Sequence, residues 1–391
     1  MITPFLDVRH GIRVPCYPHQ DLKDALGETG GVVVFHEQVL RIIDVMTGCG
    51  LGQAELLRRK LAADVEETGQ WFRSRARGRG YDPVAVDRVW EVLAAFGAFG
   101  FCKAHAAAFA VPVYQSAWLK RHHPAAFYAG VLSHDPGMYP KRVIVQDARL
   151  SGVAVRPVDV NASAADWTVT PDPTPGLRVA LREVKGISDA ELAQVTKGQP
   201  YASLRDFTER ARVCRPVTER LVLVGAFDSL YANQGRPRPT RRDLLARVGV
   251  LDRAPAADPL PLDLADDGFA GLVPAGELRD LDQAERVAAE LEILGFDLSG
   301  HVLGFFRELL DDLGVARSTE LHRHRPGSVV LVAGVKVATQ TPAVRSGQRI
   351  VFATLDDEAG LVDLAFFDRA QQRCADKLFG SWLLLVRGRL R

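Results

Sequence analysis

The sequence predicts a mainly α multidomain protein of the α+β class: a long helical first part, a middle of short helices and tight turns, and a terminal group of strands. Three observations predict it. A chain of 391 residues is longer than one compact core organises, so several domains are expected. Apolar residues recur at helical spacing through residues 1–150, as at Val39, Ile42, Ile43 and Met46. Past residue 328 that period gives way to short apolar runs separated by turn residues. An apolar fraction of 47% with 25% charged residues excludes wholesale disorder. No apolar run approaches the roughly 20 residues of a membrane helix.

The elements follow in order. Gly30 to Phe35 reads as a short apolar strand leading into the helix of Val39, Ile42, Ile43 and Met46. A second helix begins near Gln53. A third opens at Asp82-Pro83, an N-cap acid with Pro at the first helical position, and carries Val86, Val89, Trp90 and Leu93 on one face. Ala104 to Lys120 is helical in composition, but Pro112 removes a hydrogen bond and is expected to kink or divide it. Helices over Ala125–Leu132 and Lys141–Leu150 follow, the latter closed by Gly152. Val153–Val160 reads as strand and turn, and Pro171–Pro175 as loop. From Gly176 to Leu230 short helices alternate with Gly-containing turns, one opened by the capping box Ser188-x-x-Glu191. Little regular structure is expected between Ala232 and Asp282. Strands are expected at Ser328–Val337, Arg349–Leu355, Leu361–Phe366 and Trp382–Leu390, with a helix between Arg369 and Lys377.

Total charge is balanced, 49 basic against 48 acidic residues. Its distribution is not. Nine of the basic residues are Lys and the rest Arg, the side chain suited to bidentate phosphate contact, although coding bias accounts for much of the excess. Gln234–Arg253 concentrates Arg236, Arg238, Arg241, Arg242, Arg247 and Arg253, and Ala254–Glu292 is then strongly acidic. The switch suits a nucleic-acid-facing patch followed by a self-repelling linker. Five widely spaced cysteines, with no Cys-x-x-Cys pair, argue against a disulfide framework or zinc ribbon and for a reducing, cytoplasmic setting. The N-terminus lacks the basic-then-apolar pattern of a secretory signal.

Two motifs carry chemistry. Arg58 and Arg59 end a short helix, fanned about 100° apart, so that together they can grip a polyphosphate from two sides. The plainer reading is a solvated basic helix end, favoured by the macrodipole. Lys103 and His105 open a helix of small residues, Ala104 and Ala106–Ala108. A Lys there opposes the local dipole and asks for an anion. The small residues would let a planar partner lie close, unless the helix is simply an Ala-rich packing element.

Several phrases together resemble the alpha subunit of bacterial DNA polymerase III, the family C polymerases. They are Val34-Phe35-His36-Glu37-Gln38-Val39, Leu56-Leu57-Arg58-Arg59, Phe99-Gly100-Phe101-Cys102-Lys103-Ala104-His105, Tyr114-Gln115-Ser116-Ala117-Trp118-Leu119-Lys120 and His123-Pro124-Ala125-Ala126-Phe127. Pro157-Val158-Asp159-Val160-Asn161, Gly225-Ala226-Phe227-Asp228 and Leu294-Gly295-Phe296-Asp297-Leu298-Ser299-Gly300-His301 continue the series in the family's order.

The resemblance implies part of a fingers domain over 1–152 and a strand-and-turn region with tandem helix-hairpin-helix units over 153–232. A linker over 233–285, a helical connector over 286–327 and an OB-fold over 328–391 follow. Four of the barrel's five strands are countable. By resemblance Arg58, Arg59, Lys103 and His105 contact the incoming deoxynucleotide or template-primer DNA. Lys60 to Asp64 stands where the family has a Gly-Lys-Lys stretch, and Ala104 where it has Ser.

Lys185, Gly186, Ile187 and Ser188 resemble the first DNA-binding hairpin, and Gly225 lies in the second. Such a turn presents backbone N–H groups as an anion nest for phosphate. With Arg236, Arg238, Arg241 and Arg242 they form the expected backbone-binding set. Leu260, Leu262 and Leu264 resemble the family's peptide for the sliding clamp, with Pro259 in place of its leading Gln. Phe366 is the candidate for stacking a single-stranded base. Phe367 faces the other way.

The family's reaction uses Mg2+, held by palm aspartates. No catalytic residue or metal ligand is expected in this sequence, so nucleotidyl transfer would need a palm, or a palm and phosphoesterase portion, supplied elsewhere. The motif variants resemble the accessory, error-prone branch, with the replicative role as the alternative. The rival function is a non-catalytic DNA- and sliding-clamp-binding accessory protein or a gene remnant, and a weaker one an OB-type single-strand RNA binder. No membrane contact is expected.

Overall fold

The computed structural model describes every residue except 1, 62–63, 97–100, 136, 138, 172–174, 233–237, 252–277 and 343–348. It divides into two compact units, residues 1–117 and 118–391.

The first unit is helical: α1 (Ile2–Arg9), α2 (Lys23–Leu26), α3 (His36–Thr47), α4 (Leu51–Leu61), α5 (Val65–Gly78), α6 (Pro83–Phe96) and the start of α7 (Lys103–His122). The apolar face of α3 is buried with Leu57 and Leu61 of α4, Phe72 of α5 and Val86, Val89, Trp90 and Leu93 of α6 in one core. The start of α6 is capped by Asp82, whose carboxylate accepts the Ala85 N–H at 3.1 Å. Helix α5 is an addition to the elements expected. Asp64 caps it by accepting the Glu67 N–H at 2.9 Å, but few of its residues are apolar, so the helical period is faint.

No strand forms over Gly30–Phe35. Gly30 and Gly31 turn the chain with φ of 62° and 89°, and Phe35 makes one isolated parallel bridge to Phe101. The reason is local: the Gln38 side chain accepts the N–H groups of Val34 and Phe35 at 2.8 and 3.0 Å, taking the donors a ladder would use. Nor does Pro112 divide α7, which runs through it. No residue of α7 is buried, so water can satisfy the carbonyl that Pro112 leaves without a donor.

The second unit packs α8 (Pro124–His134) and α9 (Lys141–Leu150) against a small sheet ordered β1-β3-β2, from Val155–Arg156, Thr168–Thr170 and Gly176–Arg178. The strand expected over Val153–Val160 shrinks to two residues, because Pro157 cannot donate to the ladder. Next come α10 (Asp189–Gly198), α11 (Leu204–Ala211), α12 (Arg215–Leu223), α13 (Arg241–Leu251) and α14 (Gln283–Ile293). They share a core with α8 and α9 that includes Tyr128, Val145, Val195, Phe207, Leu221, Phe227, Leu244 and Phe296.

Helix α13 stands where little regular structure was expected. Thr240 and Asp243 cap it reciprocally, each side chain accepting the other's N–H at 3.1 and 2.8 Å, while Leu244 and Val248 bury one face. Its Pro- and Asp-rich surroundings hide that pattern.

After the short helix α15 (Arg307–Asp312), strands β4 (Val329–Gln340), β5 (Val351–Asp356), β6 (Leu361–Phe366) and β7 (Leu383–Arg389) form an antiparallel sheet ordered β6-β5-β4-β7. Helix α16 (Asp368–Gly380) joins its third and fourth strands in sequence. This is a partial, OB-like half-barrel, with four strands among the described residues. β4 pairs with β7 from Val329–Arg389 to Val335–Leu383, and a bulge at Lys336–Ala338 breaks its register with β5. At Gly334 a Cβ would lie 2.6 Å from the Leu355 Cβ and 2.9 Å from the Asp356 carbonyl oxygen. Gly334→Ala is therefore expected to destabilise the sheet by about 1–3 kcal/mol through overpacking, measured as a lower denaturant midpoint with an unchanged slope.

All five cysteines are free thiols. No helix among the described residues is long and apolar enough to cross a membrane.

Candidate nucleic-acid interface

In the first unit, α4 holds its arginine pair on Glu55, three and four residues earlier on the same face. Arg58 donates from Nε and Nη2 to the two Glu55 oxygens at 2.8 and 2.9 Å, and Arg59 Nε donates at 2.7 Å. Those hydrogen bonds hold the Glu55 carboxyl at about 2. Arg58 is half-buried, whereas the Arg59 side chain is 71% exposed and keeps the rest of its guanidinium in solvent.

The start of α7 is anchored by Glu37. The Lys103 N–H donates to both of its carboxylate oxygens at 3.0 Å, and the Cys102 thiol approaches at 3.2 Å. Burial pushes this carboxyl up, but the amides of Lys103, Glu37 and Ala104 and the Cys102 thiol outweigh it and hold it below the usual carboxylate range. Lys103 Nζ reaches Glu28 at 2.5 Å and lies 5.9 Å from the centre of the Phe35 ring. The anion that a Lys at this helix start demands is thus the chain's own. Glu37 stands in the first turn of α3, and α3 and α4 share one core, so the helix that carries the arginine pair and the one that anchors the α7 start are packed together. His105 is exposed, its ring 4.6 Å from that of Phe109.

Glu55 was not singled out in the sequence, although its spacing of three and four residues to the arginines is a signal that could have found it. Glu28 and Glu37, 75 and 66 residues from Lys103, gave no such signal.

In the second unit the two hairpin turns differ. At the first, Gly186 has φ of 84° and, like Lys185, is exposed. The expected nest is smaller than a run of successive amides. Lys185 N–H donates to the Ile293 carbonyl at 3.0 Å, Ile187 N–H to the Val184 carbonyl at 3.2 Å and Ser188 N–H to Glu191 at 2.9 Å. Ser188 is committed to capping α10, and Ile187 packs against the core. Glu191, which also accepts the Cys214 N–H, is held at about 2 despite its burial.

At the second turn Gly225 has φ of 80° and is buried, and the N–H groups of Gly225, Ala226 and Asp228 bond within the turn. Of the arginines expected to face phosphate, Arg241 is buried. It donates to the Leu223 carbonyl at 2.7 Å and to Asp228 at 3.0 Å. Arg238 pairs with Asp228 at 2.9 Å and Arg242 with Glu285 at 2.5 Å. The basic patch is therefore largely a set of internal ion pairs. Sequence proximity cannot distinguish such pairs from free cations. Arg236 and the leucines Leu260, Leu262 and Leu264 lie outside the described residues.

On the C-terminal sheet Phe366 does not face solvent. It is 7% exposed and packs with Val351, Ala353 and Leu378, while its neighbour Phe367 is 43% exposed with Arg391 4.9 Å from its ring centre. Alternation along β6 made one of the two available, and the α16 contact through Leu378 decides which. Among the described residues no three Asp, Glu, His or Cys side chains converge as a metal site requires. These residues do not fit the magnesium cage that the family reaction uses.

Comparison with known proteins agrees with this layout. Residues 1–79 match the model of the bacterial DNA polymerase III alpha subunit finger domain, and residues 152–237 that of the helix-hairpin-helix motif. A protein of Symbiobacterium thermophilum named error-prone DNA polymerase is 34% identical over 97% of this chain and 39% of its own length. Proteins of the same name from Xanthomonas campestris and Methylococcus capsulatus are each 32% identical, over 100% and 99% of this chain and 36% and 38% of their own. The chain thus spans well under half the length of these relatives. With finger and hairpin regions in the family's order, and similarity running along the rest, the chain belongs to the bacterial DNA polymerase III alpha subunit family.

Proposed function

We propose that the chain is the fingers and DNA-binding portion of a DNA polymerase III alpha-type polymerase used in DNA replication or repair synthesis. The naming of its relatives favours the error-prone branch. The observation that carries the reading is geometric: α4 holds Arg58 and Arg59 and packs against α3, whose Glu37 anchors the start of α7 at Lys103. A deoxynucleoside triphosphate is the multiply charged, polydentate ligand that two fanned guanidinium groups and a lysine suit. Their present partners Glu55 and Glu28 are single carboxylates with the same hydrogen-bonding chemistry and less charge. The exposed, Ala-rich face of α7 leaves room for a base pair beside His105. Template-primer DNA is held in part through the hairpin region. Leu260, Leu262 and Leu264 are the proposed sliding-clamp peptide.

Template-directed nucleotidyl transfer, with magnesium, depends on the family's palm aspartates acting together with these residues. The test is primer extension by this chain combined with a polypeptide carrying the palm aspartates. Metal-dependent extension that neither component gives alone is expected. DNA binding without extension, whatever palm is added, would favour the second reading, a non-catalytic DNA- and clamp-binding accessory protein.

A further inference from the structure

The two hairpins are related by sequence pattern, and each glycine is overlaid by an arginine from a later helix, Arg220 of α12 over Gly186 and Arg241 of α13 over Gly225. The consequences differ. A Cβ on Gly186 would lie 2.4 Å from Arg220 Nη1, and one on Gly225 would lie 2.2 Å from Arg241 Nη2. At the second hairpin this arginine is buried and saturated by the Leu223 carbonyl and the Asp228 carboxylate, which Arg238 also holds. The turn beneath it is buried too, with Ala226 and Phe227 fully inaccessible. Arg241 therefore presents no free donor there without breaking the Asp228 cluster, and Arg238 is tied to the same carboxylate through Nη2.

At the first hairpin the corresponding arginine, Arg220, is half-exposed. It spends one N–H on the Lys185 carbonyl at 2.7 Å and pairs with no carboxylate among the described residues. Beside it Lys185 is exposed and also without an acidic partner there. The Gly186 N–H is the one amide of Val184–Ser188 with no acceptor in the chain among those residues. Three donors, a guanidinium, an ammonium and a main-chain amide, therefore meet at one solvent-facing turn. Glu191, the nearby acid, is already saturated by Ser188 and Cys214.

The geometry points to a division of labour: the phosphodiester backbone of duplex DNA is seated at the turn of the first hairpin and not at that of the second, through Lys185, Gly186 and Arg220. The second hairpin is a scaffold that carries Arg220 on α12 and holds it over the first. This deepens the DNA-binding reading above and rests on it. Arg220 reaches the first hairpin from 35 residues downstream, so the tandem arrangement is needed to complete a site that neither hairpin holds alone. Gly186 is required twice, for its left-handed φ and for the guanidinium that occupies the Cβ position. Contacts of this kind are blind to sequence and steeply dependent on salt.

The test is a titration of the full chain with a fluorescent duplex at salt concentrations between ~50 and ~200 mM, reading the slope of log affinity against log salt. K185Q and R220Q are each expected to flatten the slope by about 1. R220K, which keeps the charge and the reach to the Lys185 carbonyl, should retain the wild-type slope. R238Q, at the second hairpin, should retain it as well. K185Q changes an exposed side chain and keeps the test decisive if R220Q folds poorly. Wild-type slopes for both K185Q and R220Q, or a flattening by R238Q equal to that of K185Q, would overturn the asymmetry while leaving DNA binding intact. Failure of the wild-type chain to retain duplex even at the lowest salt would overturn both the asymmetry and the reading beneath it.

Discussion

Asp356→Ala is expected to lower the stability of the second unit by about 3 kcal/mol, the cost of leaving the half-buried Arg142 guanidinium without its carboxylate. Asp356 ends β5, is 2% exposed, and sits where the sheet meets the helical part of its unit. Arg142 of α9 donates to its Oδ2 at 3.4 Å, and the Glu358 N–H donates to Oδ1 at 3.0 Å. His301 Nδ1 accepts the Leu303 N–H at 3.2 Å, and its Nε2 lies 3.7 Å from Asp356 Oδ2. Neighbouring contacts continue the junction. Gln146 donates to the Glu358 carbonyl at 2.6 Å, Arg307 pairs with Glu358, and Ser318 Oγ donates to Asp357 at 2.8 Å.

A loss of that size should lower the unfolding midpoint of the unit by roughly 6–12 °C by calorimetry. Asp363→Asn, which touches only the exposed Thr354 hydroxyl at 2.7 Å, should change it little. The pH dependence separates charge from packing. Burial pushes the Asp356 carboxyl up, but His301, the Glu358 amide and Arg142 outweigh it and hold the group below its ordinary value. Its contribution is therefore fully present above the unfolded carboxylate range, near pH 4, and is lost as pH falls through the lower folded value. Asp356→Asn should keep much of the packing and lack that acid-side loss. Equal acid sensitivity in wild type and Asp356→Asn would show that the charge does not stabilise the junction.

The expected and observed elements diverge where long-range partners decide the outcome. The four strands of the terminal sheet and helix α9 lie close to where period and turn residues put them, because burial of alternate or every third-to-fourth side chain is a local pattern. Gly30–Phe35 has strand composition, yet a single Gln38 side chain takes the donors that a partner strand would need. Helix α13 was concealed because its caps, Thr240 and Asp243, are also turn residues.

The candidate site was legible as a set of cations and illegible as a set of pairs. Arg58 with Glu55 is a helix-spacing relation. Arg241 with Asp228, or Lys103 with Glu28, exists only after the chain has folded. For that reason the arginine-rich segment reads as an open nucleic-acid patch, while the half-exposed Arg220, isolated in sequence, passes unnoticed.

The arginine pair gives the second large effect. In primer extension with a palm-bearing polypeptide, Arg59→Gln is expected to raise the KM for deoxynucleotide about 10–100-fold with a much smaller change in kcat. That is the loss of charge-assisted phosphate contact worth about 1.5–3 kcal/mol. Arg59 is the side chain of the pair that reaches into solvent, with one N–H committed to Glu55. Arg58 is tied to both Glu55 oxygens and half-buried, so it holds the carboxylate in place more than it reaches outward. Glu55→Gln should then act in the opposite sense on KM. With the competing charge gone, both guanidinium groups face the triphosphate more strongly and KM falls. Their common anchor is weakened as well, so positioning suffers and kcat falls with it. A purely structural role for Glu55 would lower active protein without moving KM. A KM unchanged in both Arg59→Gln and Glu55→Gln would remove triphosphate contact from α4 and leave the pair as a solvated helix end.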